Sequence, residues 1–394
     1  MKITDTFTIL LDSSYDSASA PQFQKELFEL VESMKPELTD DTLLVLDASE
    51  LTYISSAGLR VLLMLKKEHD TIEIINVSPE VYEIFDVTGF TSIIKIRRTF
   101  REIDITGAEE IGHGCSCQVY RLNDDKVVKV FMPGIPLWKI EREADNAKKS
   151  FLFGIPCVIS YDLVKCNDGY GLVFEYLKSR GVSRILNDDP SKFDEYVDKY
   201  FKLLRETHST QADDSFEEIK PLWLKWANDL KEFYTDEEFS ILQAVIDAVP
   251  DCNTIVHSDT HVNNVLEQNG ELVFVDMADV GRGHPIFDIG PLMYHYHYMT
   301  VADRDMCNSA VVLREDMRDK MYNLILERYL YDPDPERHAA LKEIYDCFGV
   351  IRCALIAAKH AHIEKERKQL LVNVMKENFY YRADRLLELM KKYL

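Results

Sequence analysis

The segment HSDTHVNNVLEQNGELVFVDMADVGRGHPIFDIG, residues 257–290, constrains this chain more than any other. It places an aspartate between two histidines, an asparagine five residues later and a second aspartate at the end of the next apolar strand. A carboxylate beside an acceptor hydroxyl orients it and takes its proton. An amide oxygen and a second carboxylate are hard ligands suited to magnesium on nucleotide phosphates. Asp259, Asn264 and Asp276 fill these roles in that order, so the pattern is one of phosphoryl transfer.

Upstream, IGHGCSCQVYRLNDDKVVKVF supplies matching parts. Gly112 and Gly114 let a strand-turn-strand loop approach phosphates without a Cβ in the way. Lys129, within the apolar run Val127–Phe131, reaches the α- and β-phosphates as a point charge. Other readings of the histidines are weaker. His257 and His261 stand four residues apart but lack the glutamate of an HExxH zinc motif. The run MYHYHY, residues 293–298, reads as a helix packing its tyrosines rather than as a metal site.

The spaced residues His257, Asp259, His261, Asn264, Asp276, Gly283, Pro285 and Asp288 resemble the aminoglycoside phosphotransferase and choline kinase family of protein-kinase-like enzymes. The resemblance implies a bilobal α+β fold with a mainly helical carboxy-terminal lobe, and an enzyme that uses ATP and Mg2+ to phosphorylate a hydroxyl-bearing substrate. It implies that Asp259 is the catalytic base, that Asn264 and Asp276 hold magnesium, and that His257 and Asp288 support the catalytic loop. It also implies a helix glutamate that holds Lys129, either Glu141 or Glu143, with the spacing to Ala147 favouring Glu143. The stretch FEYL after the strand YGLVF matches a hinge whose backbone contacts adenine, centred on Glu175 and Tyr176. Residues 203–208 (LLRETH) resemble the helix that precedes the acceptor region. Ser258 stands where glycine is usual, His284 where aspartate is common, and Cys117 in place of a third glycine. A nucleotide-sensing pseudokinase in a signalling protein is the alternative.

A chain of 394 residues exceeds what one hydrophobic core usually serves, so two domains are expected. Before residue 100 the chain alternates strand-like and helical patterns, the signature of an α/β unit. Strands are expected at residues 43–46, 72–75 and 93–96, and helices at 21–34, 57–67 and 79–87. The stretch LLVLDASELTYISSAGLRVLL, with IEII and EVYEIFDVTGF after it, resembles a STAS domain of the anti-sigma factor antagonist type. The resemblance implies that Ser56 is a regulatory phosphorylation site and that an anti-sigma factor or another protein is a partner. Ser55 occupies the place where aspartate is usual. On composition alone, Ser55 and Ser56 both sit where a helix cap belongs. The expected layout is a STAS domain over 1–98, a linker over 99–108 and a kinase-like domain over 109–394, whose amino-terminal lobe ends near 177. Amphipathic helices are expected at 311–330, 335–362 and 368–393.

The formal charge of −22 argues against nonspecific affinity for nucleic acid or anionic lipid. No apolar run is long enough for a membrane helix and the amino terminus lacks a signal-peptide pattern, so a cytoplasmic chain is expected. The eight cysteines form no CxxC pair and read as reduced packing residues.

Overall fold

Runs of leucine, valine and isoleucine alternate with amphipathic stretches near the amino terminus, and each run becomes a strand. The computed structural model describes residues 1–5, 7–34, 42–114, 116–167, 169–302, 304, 307, 312–359 and 363–394. It divides into two compact units, Met1–Thr106 with Leu163–Gly169, and Gly107–Asp162 with Tyr170–Leu394.

In the first unit, β1 (Lys2–Asp5), β2 (Thr8–Leu10), β3 (Leu44–Asp47), β4 (Ile72–Val77) and β5 (Lys95–Arg98) form one sheet in that order. β1 and β2 are antiparallel, and β2 to β5 are parallel. Parallel neighbours need crossover connections, here supplied by α1 (Ala20–Met34), α2 (Ser56–Glu68) and α3 (Pro79–Val87). Phe23, Leu27, Val31 and Met34 of α1 recur at helical spacing and are all buried. Leu62 and Leu65 of α2 and Phe85 of α3 join Ile9, Leu46 and Ile74 of the sheet in one core. The last strand begins later than the expected 93–96, because the 3-10 turn Phe90–Ser92 first seats Phe90 and Ile94 in that core.

The second unit opens with antiparallel strands β6 (Glu109–His113), β7 (Cys117–Arg121), β8 (Lys126–Phe131) and β9 (Gly169–Glu175), with α4 (Leu137–Leu152) following β8. The helical part contains α5 (Phe193–Ser209), α6 (Ile286–Met293) and α7 (Pro335–Lys359). The expected amphipathic helix at 335–362 is in fact buried on all sides over much of its length, from Ile344 through Ala357 apart from Asp346, and residues 360–362 lie outside the described residues. Gly349 explains the close packing against α6: a Cβ there would lie 2.4 Å from Met293 Cβ. The expected helix 368–393 is two helices, Lys365–Phe379 and Ala383–Tyr393, separated by a 3-10 turn. The stretch 311–330 becomes a helix over Glu315–Leu324 and a π-helical turn over Ile325–Tyr329, with residue 311 outside the described residues.

The described cysteines are free thiols, all but Cys252 buried, while Cys115 lies outside the described residues. Burial pushes the thiols of Cys157, Cys347 and Cys353 up to about 12, which makes them inert. No helix among the described residues is long and apolar enough to cross a membrane.

Candidate active site

Two hairpins and one helix build the nucleotide-facing half of the site. Lys129 sits on β8, which pairs with β7 and β9, so its position along the sheet is fixed from both sides. Its Nζ lies 2.7 Å from Glu143 Oε1 and 3.0 Å from Asp276 Oδ1. Of the two candidate glutamates, Glu143 is therefore the one at the lysine. It shares the buried stripe of α4 with Ile140 and Ala147, while Glu141 lies off that stripe. Burial alone would lower the lysine's affinity for its proton, but Asp276 and Glu143 hold it above the ordinary value. One ammonium thus faces two carboxyl groups, and burial pushes that of Glu143 up to about 7 against the pull of the lysine.

The metal-ligand candidates are brought together by a short hairpin. Val265–Gln268 pairs with Glu271–Phe274, which places Asn264 just before one strand and Asp276 just after the other, at the open end of the ladder. A backbone hydrogen bond from Val275 N to Asn264 O, 3.0 Å, locks this end. Asp276 has φ +63°, in the left-handed region, and starts the 3-10 turn Met277–Asp279. α4 clamps that turn: Asn146 Nδ2 donates to the carbonyls of Ala278 and Val280 at 3.2 and 3.1 Å, and Arg142 Nε donates to Ala278 O at 3.2 Å. The helix that carries Glu143 therefore also positions Asp276.

The loop that carries Asp259 rests on Asp288, which is fully buried at the start of α6. Its carboxylate accepts the N–H of His257 at 2.8 Å and that of Ser258, and it faces His208 Nε2 at 2.8 Å. Ser258 adopts φ +65°, a region that glycine enters without strain, and its N–H bond to Asp288 holds it there. His257 places its Nε2 at 3.2 Å from Val275 O, which ties the loop to the strand leading to Asp276. Beyond it, Tyr200 OH donates to Thr260 O at 2.7 Å and Val262 N donates to Tyr296 OH at 3.1 Å.

Asp259 follows Ser258 in this pinned loop and is largely covered, its side chain 21% exposed. Asn264 Nδ2 donates to its backbone carbonyl at 2.9 Å and lies 3.3 Å from Oδ2. Burial alone would raise the Asp259 carboxyl, but His261 and Lys359 nearby hold it well below the usual carboxylate range. Lys359, at the end of α7, is itself paired with Asp279.

Other expected residues fall less simply. Gly112 lies in β6, where an added Cβ would meet only ordinary contacts, and Gly114 packs over Cys117, whose Sγ would be 3.3 Å from such a Cβ. Glu175 and Tyr176 end β9, but their N–H groups are already donated to Ile159 O at 3.0 Å and Asp125 O at 2.8 Å. Those two N–H groups are therefore already spent within the sheet and its neighbouring loop. In the first unit, Ser55 is the N-cap of α2, its Oγ 3.4 Å from Gly58 N, while Ser56 is the first helical residue and is exposed. The cap role, open between the two serines in sequence, belongs to Ser55. Gly58 has no room for a side chain, since a Cβ would lie 2.7 Å from Ile54 Cγ1.

Sequence reasoning missed His208, Asn146, Lys359 and His295. His208 could have been found from its place in LLRETH, on the buried face of an amphipathic helix. His295 lies in the π-helical turn Tyr294–Tyr298, where ordinary helical spacing fails.

Comparison with known proteins agrees with this arrangement. The phosphotransferase enzyme family model matches residues 107–339. The chain belongs to that family. It carries at its amino terminus a STAS domain, whose model matches residues 1–103. BtrV of Bordetella bronchiseptica, named as an anti-sigma factor antagonist, is 33% identical over 99 residues, covering 24% of this chain and 80% of that protein. Among solved structures, a choline/ethanolamine kinase family protein from Mesorhizobium loti is 15% identical, with 72% of this chain and 92% of that one covered at a TM-score of 0.48. An ADP-bound aminoglycoside phosphotransferase, APH(2'')-Ib, is 16% identical, with 77% and 98% covered at a TM-score of 0.45. This phosphotransferase is thus a kinase-type enzyme fold fused to a STAS domain of the anti-sigma factor antagonist type.

Proposed function

We propose that this phosphotransferase moves the γ-phosphate of ATP to a hydroxyl group of its acceptor, with Asp259 as the base. The carrying observation is the contact of Lys129 Nζ with both Glu143 and Asp276, across 14 and 147 residues of chain. Glu143 holds the ammonium so that it meets the α- and β-phosphates as a fixed charge. Gly112 and Gly114 present no Cβ at their own two positions as the loop approaches those phosphates. The adenine edge meets backbone beyond Glu175 and Tyr176, nearest at Leu177, because the N–H groups of the first two are spent.

Asn264 and Asp276 fit Mg2+: both offer oxygen, and the backbone bond between Asn264 and Val275 holds them side by side. When bound, the ion neutralises phosphate charge as the transfer proceeds. Asp259 stays ionised over the working pH range, orients the acceptor hydroxyl and receives its proton. Its low basicity suits a loose transition state, in which that proton leaves late. Asp288 and His257 keep the loop in register.

For the amino-terminal domain, the reading is a regulatory module spanning 1–98, joined through 99–108 to the kinase-like domain at 109–394, with Ser56 as its phosphorylation site and an anti-sigma factor as its partner. The exposure of Ser56 at the start of a helix supports this. A phosphate there meets the positive end of the helix, and it adds about −2 of charge to a contact surface. A nucleotide-sensing pseudokinase is disfavoured because lysine, glutamate, base and both oxygen ligands are all in place. The test is transfer of labelled γ-phosphate to a panel of hydroxyl-bearing metabolites, with intact-mass measurement of the chain alongside. Label on one acceptor class, lost in Asp259→Asn, is expected. Nucleotide binding without label on any acceptor or on the chain would favour the sensor.

A further inference from the structure

Two histidines that the scheme above leaves unused converge on Asp259 at one side of its loop. His261 Nε2 is 3.6 Å and His295 Nε2 is 3.8 Å from Asp259 Oδ1, and the three groups lie within 4.8 Å of one another. His295 Nδ1 is 2.8 Å from the carbonyl of Pro291. A carbonyl only accepts, so Nδ1 carries the hydrogen and the neutral ring turns its Nε2 lone pair toward a carboxylate oxygen. That is the arrangement by which an outer hydrogen bond fixes the tautomer of a metal-binding histidine. No hydrogen bond among the described residues commits His261: its Nδ1 is buried without a partner, and its Nε2 stands 3.6 Å from Asp259 Oδ1. Two imidazole nitrogens and a carboxylate oxygen gathered in this way form a set that a divalent cation can bind, with release of any proton the ring of His261 holds.

The geometry points to a transition-metal site formed by Asp259, His261 and His295, of the zinc class, distinct from the magnesium position at Asn264 and Asp276. Zinc bonds of about 2.0–2.1 Å in a tetrahedron put ligand atoms roughly 3.3 Å apart, so side-chain shifts of about an ångström close this set around an ion. Two imidazoles and one carboxylate favour zinc or its neighbours over magnesium, which prefers oxygen. Three protein ligands leave a fourth position open. An ion here occupies the oxygen with which Asp259 would accept a proton, so zinc inhibits the transfer while magnesium supports it. The site rests on the geometry of three side chains and not on the phosphotransferase reading, and metal binding is measured without nucleotide, so either can fail alone.

The test uses the full chain, freed of metal and titrated with Co2+, whose visible d–d bands report coordination. One Co2+ per chain is expected, displaced by Zn2+ and unaffected by excess Mg2+. His295→Gln should weaken binding at least about 10-fold, the lower range seen even for outer hydrogen-bond partners of a metal. Equal affinity in wild type and His295→Gln, or sulfur-to-cobalt charge-transfer bands from the cysteines, would overturn the site. Should His295→Gln fail to fold, X-ray absorption at the zinc edge of the unmodified chain decides: a nitrogen and oxygen shell with the outer scattering of two imidazoles supports the site, and a sulfur shell or a single imidazole overturns it.

Discussion

Replacing Asp288 with asparagine tests the architecture of the catalytic loop at its most buried point. The carboxylate accepts backbone N–H groups from His257 and Ser258 on separate oxygens and faces His208 as well. Asparagine keeps one acceptor oxygen and turns an NH2 toward the other backbone donor, so one N–H is left buried without an acceptor. That costs about 1–3 kcal/mol, and the loss of charge weakens the surviving bond. Ser258 adds to the effect, because its φ of +65° is held against a strain of about 1 kcal/mol that the lost bond no longer offsets. The total is roughly 2–4 kcal/mol, or about 30- to 1,000-fold in the local opening equilibrium at 1.4 kcal/mol per decade. Hydrogen exchange at the amides of His257 and Ser258 reads this directly. Turnover should fall as well, since Asp259 follows Ser258 and a displacement of about 1 Å costs on the order of 100-fold. Unchanged protection at both amides, or full turnover despite lost protection, would refute the view of Asp288 as the anchor of the loop.

Asp276→Asn should weaken Mg2+–ATP binding by about 1–3 kcal/mol, read by calorimetric titration against wild type. Asp259→Asn should lower turnover by about two to four orders of magnitude with nucleotide affinity nearly unchanged; equal turnover would remove Asp259 as base. His284 is lowered to about 4, chiefly by burial and then by His208 and Lys220, and its Nδ1 accepts Ile286 N–H at 3.2 Å. The folded chain therefore binds fewer protons here than the unfolded chain between about pH 6.5 and 4, and stability drops as pH falls through that window. His284→Asn should flatten that slope in denaturant unfolding at a series of pH values, and an identical slope would assign the acid sensitivity elsewhere. Ser55→Ala should cost about 0.5–1 kcal/mol as a lost cap, whereas Ser56→Ala should be nearly neutral and Ser56→Asp slightly stabilising at a helix start, all read by thermal unfolding.

The candidate site residues were legible where one local element fixes several of them. Asn264 and Asp276 flank one tight hairpin, so a local turn brings them together whatever the rest of the chain does. Helices with one apolar stripe, such as Ala20–Met34, declared themselves by period. Contacts decided by distant elements were less legible. The commitment of the Glu175 and Tyr176 N–H groups depends on Ile159 and Asp125, which no pattern in FEYL reveals. The break after Phe379 escaped notice because apolar spacing continues across it while the backbone turns. Glu143 was decidable in principle, since residues 141 and 143 point about 200° apart on a helix and only Glu143 shares the face of Ile140 and Ala147.

The charge of the whole chain does not carry over to the site. A net −22 suggests an environment that draws in cations, yet the charges around Asp259 are close to balanced. Asp259 and Asp279 are carboxylates, and Lys359 and the buried Arg352 approach them from α7. At separations of this order inside a protein, near charges outweigh distant surface charges, which water and salt screen within about 8–10 Å. The acidic surface therefore acts on encounter rates and solubility, while the potential felt by an acceptor hydroxyl at Asp259 is set by a handful of groups on the catalytic loop and one helix. Neutralising Lys359 should shift that local potential far more than removing any exposed acid elsewhere on the chain.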